Sequence, residues 1–180
     1  MNNNVHSALQ GTKTQENLTD AFSGEARSCI RYRIFSKLAK ESGDPVLADM
    51  LREMSDNELE HAELWLGYLG ETDGNTKNLE SLIASEDYES TVMYPEFAAE
   101  AKDEGFGEIS EKMSYASNAE ANHARMLADY LAAMKDGSLY SGDSDTLWVC
   151  TNCGYTHTGN TAPERCPLCS YPQKYYVKAQ

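Results

Sequence analysis

The chain has 180 residues, a formal net charge of −14, and 41% hydrophobic against 24% charged residues. That length holds one sizeable core plus a small appendage, and the acidic balance argues against nucleic acid or an anionic membrane as partner. There is no run of about 18 apolar residues, and Met-Asn-Asn-Asn-Val-His at the start lacks a signal peptide's basic and apolar regions. A cytoplasmic protein without a membrane span is the expectation.

Residues 1–14 are polar and read as a flexible lead-in. A helix is indicated over 15–41, with Leu18, Ala21, Phe22, Cys29, Tyr32, Phe35 and Ala39 on an inner stripe that Glu25 interrupts. Ser42-Gly43-Asp44-Pro45 supplies a stop and a restart, with Asp44 as N-cap and Pro45 at the first helical position. The second helix runs to about Leu69. Its stripe of Leu47, Met50, Leu51, Met54, Trp65, Tyr68 and Leu69 passes over Glu58 and His61. A carboxylate and an imidazole three residues apart share a helix face. On a face meant for the core, such a carboxylate has to be protonated, ion-paired or bound to metal. The short turn makes these two helices antiparallel neighbours.

The third helical pattern begins near Leu79, after a turn-rich stretch, and puts Leu82, Ile83, Glu86, Glu89, Met93 and Phe97 on one face. Pro95 falls inside it and should kink or unwind the segment just before it. Glu104-Gly105-Phe106-Gly107 ends that helix. The fourth carries Phe106 or Ile109, then Met113, Ala116, Glu120, His123, Leu127, Tyr130 and Met134 on an apolar stripe, a second Glu-x-x-His.

The four segments form a two-fold repeat: Glu25 to Glu86 is a step of 61 residues, and His61 to His123 a step of 62. One glutamate from each of two helices and a Glu-x-x-His from each of two others is the donor set of a di-metal carboxylate bundle. A single Glu-x-x-His is commonly a surface pair, but chance is a poor explanation of four helices at matched offsets. The halves differ at Glu89, whose counterpart is Ser28, so the two metals should not be equivalent. Tyr32 and Tyr94 lie two turns beyond Glu25 and Glu86, either as core tyrosines or as proton or electron donors.

Residues 135–147 have a linker's composition. Beyond them, Cys150-x-x-Cys153 and Cys166-x-x-Cys169 are two knuckles 12 residues apart, a strong signal for a four-thiolate site in a module too small for an apolar core of its own. Such a site accepts zinc or iron. Beside a redox-capable di-metal site, an iron that passes single electrons is the expectation. Cys29 reads as a small core residue.

Together these motifs resemble the rubrerythrin family, from about residue 12 to the end. The resemblance is carried by Phe22-Ser-Gly-Glu25 through Tyr32, Glu58-x-x-His61, Glu86-x-x-Glu89 followed by Met93-Tyr94-Pro95, Glu120-x-x-His123, Cys-Gly-Tyr-x-His157 and Cys166-Pro-x-Cys169. It implies an all-α, ferritin-like four-helix bundle over 15–134 and a rubredoxin-like domain over 148–180. It implies two non-haem irons held by Glu25, Glu58, His61, Glu86, Glu89, Glu120 and His123, and a third iron held by Cys150, Cys153, Cys166 and Cys169. The implied activity is reduction of hydrogen peroxide to water in oxidative-stress defence. Electrons would come from a rubredoxin or an NAD(P)H-dependent reductase, and the protein would be a homodimer. Glu89 and His61 are then exchangeable ligands, serving the oxidised and reduced states respectively, and Tyr32 and Tyr94 are candidate catalytic groups. The competing readings are a ferritin-like ferroxidase or iron-sequestration protein, against which the reductant port speaks, and a pure electron carrier, against which seven inward ligands speak.

Overall fold

A computed structural model describes residues 3–72 and 74–179. The chain divides into two compact units, Met1–Asn78 and Leu79–Gln180.

The first unit is a helical hairpin. α1 (Asn3–Leu9) makes the expected lead-in helical over most of its length, and α2 (Lys13–Glu41) follows after a tight turn. The turn is set by a reciprocal cap that composition alone does not reveal. Thr12 accepts from the Gln15 N–H at 3.2 Å, and the Gln15 side chain accepts from the Gly11 N–H at 2.8 Å. α2 ends where Gly43 adopts φ 85°, and the Asp44 N–H closes back on the Ala39 carbonyl at 2.9 Å. Asp44 then caps α3 (Pro45–Leu69) by accepting from the Leu47 N–H at 3.0 Å, with Pro45 at its start.

Small residues form the seam of this hairpin. Cys29 and Ala39 of α2 and Ala48, Ser55, Ala62 and Gly67 of α3 are the buried positions, and the first three on α3 recur every seven residues. A seven-residue repeat keeps one line of contact between two long helices. Two hydroxyls clasp it: Ser55 donates to the Cys29 carbonyl at 2.9 Å and Ser36 to the Ala48 carbonyl at 2.7 Å. Because small side chains line the contact, Phe35, Met50 and Met54 of the expected inner stripes are exposed in the chain.

The second unit repeats the device. α4 (Asn75–Tyr88) passes through a π-helical turn (Glu89–Met93) into α5 (Tyr94–Asp103), and both the turn and α5 pack on α6 (Gly107–Asp136). Ser117 donates to the Ser90 carbonyl at 2.8 Å and Ser110 to the Ala98 carbonyl at 2.7 Å. These clasps match those of the first hairpin, with donor and acceptor exchanged in the second pair. Cys29 to Ser90 is a step of 61, whereas Ser36 to Ala98 is a step of 62, so one extra residue lies between Ser90 and Ala98. The π turn absorbs it: the Tyr94 N–H bonds the Glu89 carbonyl, five residues back. The disturbance expected ahead of Pro95 is this turn, and Pro95 falls in the first turn of α5.

α6 ends at Gly137, which takes φ 78°. The residues read as a linker over 135–147 belong instead to the end of α6 and to the module. The Ala162 N–H bonds the Tyr140 carbonyl at 2.9 Å, the Gly142 N–H bonds the Asn160 carbonyl at 2.7 Å, and Tyr140 packs on the module's core. That module is a three-stranded antiparallel sheet of order β2-β1-β3, from β1 (Leu147–Cys150), β2 (Thr156–Thr158) and β3 (Tyr176–Lys178). Trp148, Cys150, Ala162, Cys166 and Tyr176 are its buried core.

Candidate metal centres

Each hairpin presents one glutamate from its first helix and a Glu-x-x-His from its second. In the first unit, Nδ1 of His61 lies 3.1 Å from Glu58 and 3.8 Å from Glu25. In the second, Nδ1 of His123 lies 2.7 Å from Glu120 and 3.6 Å from Glu86. Each triad brings three donor atoms within 4.8 Å of one another. Two carboxylates and an imidazole converging on one point suit a divalent first-row metal such as iron. The glutamates are half-buried, but the two histidine side chains are 55% and 53% exposed, so these faces are less enclosed than the apolar stripes imply.

The two triads differ electrically. Hydrogen bonds from Glu25 and then His61 hold the Glu58 carboxyl below its ordinary range. Glu86 moves the other way: burial raises it first, followed by its hydrogen bond with Glu120 and the charges of Glu120 and Glu89. Glu89 is outside the triad that holds Glu86. Its carboxylate instead accepts from the Ser85 hydroxyl at 3.3 Å. Tyr32 and Tyr94 are both half-buried. Cys29 is buried in the seam, 3.4 Å from the Ser55 hydroxyl.

In the module all four cysteines are free thiols whose sulfurs converge. Sγ of Cys150 lies 3.8 Å from Cys169, and Sγ of Cys153 lies 3.6 Å from Cys166. Metal–sulfur bonds of about 2.3 Å put tetrahedral sulfurs about 3.8 Å apart, so the cluster already has the dimensions of an occupied site. Both knuckles turn alike. Gly154 (φ 76°) and Ser170 (φ 61°) are left-handed, and each N–H closes on the first cysteine carbonyl of its knuckle at 2.8 Å. The Tyr155 N–H favours the Cys153 thiolate, but burial and the other three thiols push Cys153 up to about 12. Burial opposes ionisation of Cys166 too, yet the Cys169 N–H, the Tyr176 phenol and the Leu168 N–H bring its thiol down to about 6. Burial opposes ionisation of Cys169 as well, and the Tyr171 N–H followed by the Asn152 side chain outweighs it and lowers that thiol. Neither Asn152 nor Tyr176 stands out in the cysteine spacing; the available signal was a tyrosine where the strand pattern asks only for an apolar side chain.

The family model described as Rubrerythrin matches residues 16–131 and 77–146. The chain belongs to the rubrerythrin family. A second model, the rubrerythrin rubredoxin-like domain, matches 148–177. The chain is 34% identical over 185 residues to a rubrerythrin of Porphyromonas gingivalis (strain ATCC BAA-308 / W83), covering 96% of this chain and 92% of that one. It is 34% identical over 182 residues to a rubrerythrin of Nitratidesulfovibrio vulgaris (strain Hildenborough), covering 94% and 95%. Nigerythrin of the same organism is 33% identical over 178 residues, covering 91% and 85%. The chain thus carries candidate di-iron ligands in Glu25, Glu58, His61, Glu86, Glu120 and His123, and a rubredoxin-like site in its four cysteines. Among the described residues no helix is long and apolar enough to cross a membrane.

Proposed function

We propose that this chain reduces hydrogen peroxide to water in oxidative-stress defence, drawing electrons through its four-cysteine iron. The observation that carries the reading is the presence, in one chain, of two matching Glu/Glu/His triads and a four-thiol site of tetrahedral dimensions. Reduction of one peroxide to two waters takes two electrons and two protons, so a one-electron centre has to deliver twice. Two irons supply redox chemistry at the carboxylate site, and one supplies single-electron transfer at the cysteines.

The chain's own residues divide the work. Glu25, Glu58, Glu86, Glu120 and His123 hold metal, while Glu89 and His61 are the exchangeable pair. Ser85 holds the Glu89 carboxylate ready when it is not bound to metal. Tyr32 and Tyr94, half-buried two turns from Glu25 and Glu86, serve as proton or electron donors. A rubredoxin or an NAD(P)H-dependent reductase is the external donor, and the working form is a cytoplasmic homodimer.

The test is protein purified without oxygen, with metal analysis, an optical spectrum and stopped-flow oxidation by peroxide and by oxygen separately. Three irons per chain, a thiolate-to-iron charge-transfer band and a preference for peroxide support the reading. Zinc at the cysteines would remove the electron route, and a preference for oxygen would favour the ferroxidase.

A further inference from the structure

One polar group at the four-thiol site has no role in the metal donor set. Tyr176 opens β3, stands opposite Cys150 in the β1–β3 register, is 3% exposed and packs with Trp148, Ala162 and Cys166. A phenylalanine would fill nearly the same volume; the tyrosine adds a hydroxyl. That hydroxyl is buried and has no hydrogen-bond partner. An unpaired buried hydroxyl costs about 1–3 kcal/mol. Tyr176 belongs to the same buried cluster as Cys166, one of the four converging thiols. A phenol keeps its proton at neutral pH, so the hydroxyl is a donor beside a group that becomes an acceptor when it binds metal.

We propose that the Tyr176 hydroxyl donates a hydrogen bond to the metal-bound Cys166 thiolate and so raises the reduction potential of the four-cysteine iron. The inference rests on iron at that site. Ferric iron with four thiolates carries one net negative charge and ferrous iron two, so a donor aimed at a ligand sulfur favours the reduced form. Only an electron enters; no bond is made or broken. Tyr176 is a positioning residue that makes the centre easier to reduce and a milder donor to the di-iron site.

The experiment is Tyr176→Phe in the full-length, iron-loaded protein, with the midpoint potential measured by spectroelectrochemistry. The expected result is an approximately tenfold smaller equilibrium constant for reduction, about 59 mV for one electron, with a shifted charge-transfer band and unchanged iron content. Tyr175→Phe, which removes the neighbouring hydroxyl, leaves the potential in place. An unchanged potential in Tyr176→Phe, or equal shifts in both variants, overturns the proposal. A second measurement does not depend on the variant folding. In full-length protein with cadmium-113 at the cysteines, the Tyr176 hydroxyl proton should exchange slowly and show coupling to the metal through Sγ of Cys166. A fast-exchanging, uncoupled hydroxyl overturns the hydrogen bond. Failure of the cysteine site to take iron would overturn the cofactor reading instead, and the cadmium result would still decide the hydrogen bond.

Discussion

Deleting Val92 should damage the second hairpin, and replacing Pro95 by arginine in the same chain should repair it. Val92 lies in the π turn, between Ser90, which is clasped by Ser117, and Ala98, which is clasped by Ser110. Removing one residue there restores the spacing of the first hairpin, so the segment becomes one continuous α-helix with both clasps in register. Pro95 would then sit in a helix interior, where its ring meets the carbonyl four residues back and a backbone bond is lost, at about 3 kcal/mol. The equivalent residue in the first hairpin is Arg33, at the same 62-residue step as the two histidines. The deletion with Pro95→Arg should therefore return to within about 1 kcal/mol of the parent, the remainder reflecting lost burial of Val92. The assay is urea denaturation of the iron-loaded chain, followed by helical circular dichroism. With a slope of about 2 kcal/mol/M, the deletion alone lowers the midpoint by about 1.5 M and the double variant recovers most of it. Iron content should hold in both, because Glu86, Glu120 and His123 keep their positions relative to the Ser90–Ser117 clasp. A deletion that is neutral by itself would show that Pro95 does not need the wide turn. A double variant as unstable as the deletion would show that the turn is not a one-residue insertion.

Ending the chain at Gly137, rather than within 138–146, should leave the helical part folded and iron-loaded; it oxidises once with peroxide and then stalls when NAD(P)H-linked donors are supplied. Turnover at the parent rate would show that the cysteine module is not the electron port. His61→Ala should keep two irons in the oxidised protein and lose turnover, whereas His123→Ala should lose an iron outright; equal iron loss by metal analysis would refute the assignment of His61 as the exchangeable ligand. Glu89→Ser, which copies Ser28, should retain near-normal iron while peroxide reduction falls and oxygen-dependent oxidation gains ground. A Glu89→Ser protein with both irons and full peroxide preference in stopped-flow would make Glu89 a bystander.

The parts legible in the sequence were those where one residue type has one physical job. Asp44-Pro45 starts α3 because a carboxylate caps free N–H groups and proline tolerates the first turn. The Glu and His offsets gave both triads, and the two Cys-x-x-Cys pairs gave the four-thiol cluster. The seam was harder to see because alanine, serine and cysteine carry little hydrophobic signal. The apolar periodicity runs through Phe35, Met50 and Met54, while Cys29, Ala48, Ser55 and Ala62 make the contact. Residues 138–146 looked like a linker because glycine, serine and aspartate also build tight turns. What decides is where their backbone groups bond, and Tyr140 and Gly142 bond to Ala162 and Asn160.

The mismatch between steps of 61 and 62 was visible from the start, and its physical meaning is the π turn. That turn begins at Glu89, a carboxylate where the first hairpin has Ser28. The triads themselves are alike, with histidine-to-glutamate distances of 3.1 and 3.8 Å against 2.7 and 3.6 Å. Yet Glu58 is pulled below its ordinary range and Glu86 pushed above it, with Glu89 among the causes at Glu86. The stretch from Glu86 to Pro95 thus departs from the first hairpin in one turn of backbone and in the added Glu89 carboxylate beside the triad. A duplicated hairpin supplies two equal metal sites, and equal sites give no reason for one metal to respond to reduction differently from the other. A single inserted residue with an added glutamate beside it changes one site while leaving the other, and the clasps of both hairpins, intact.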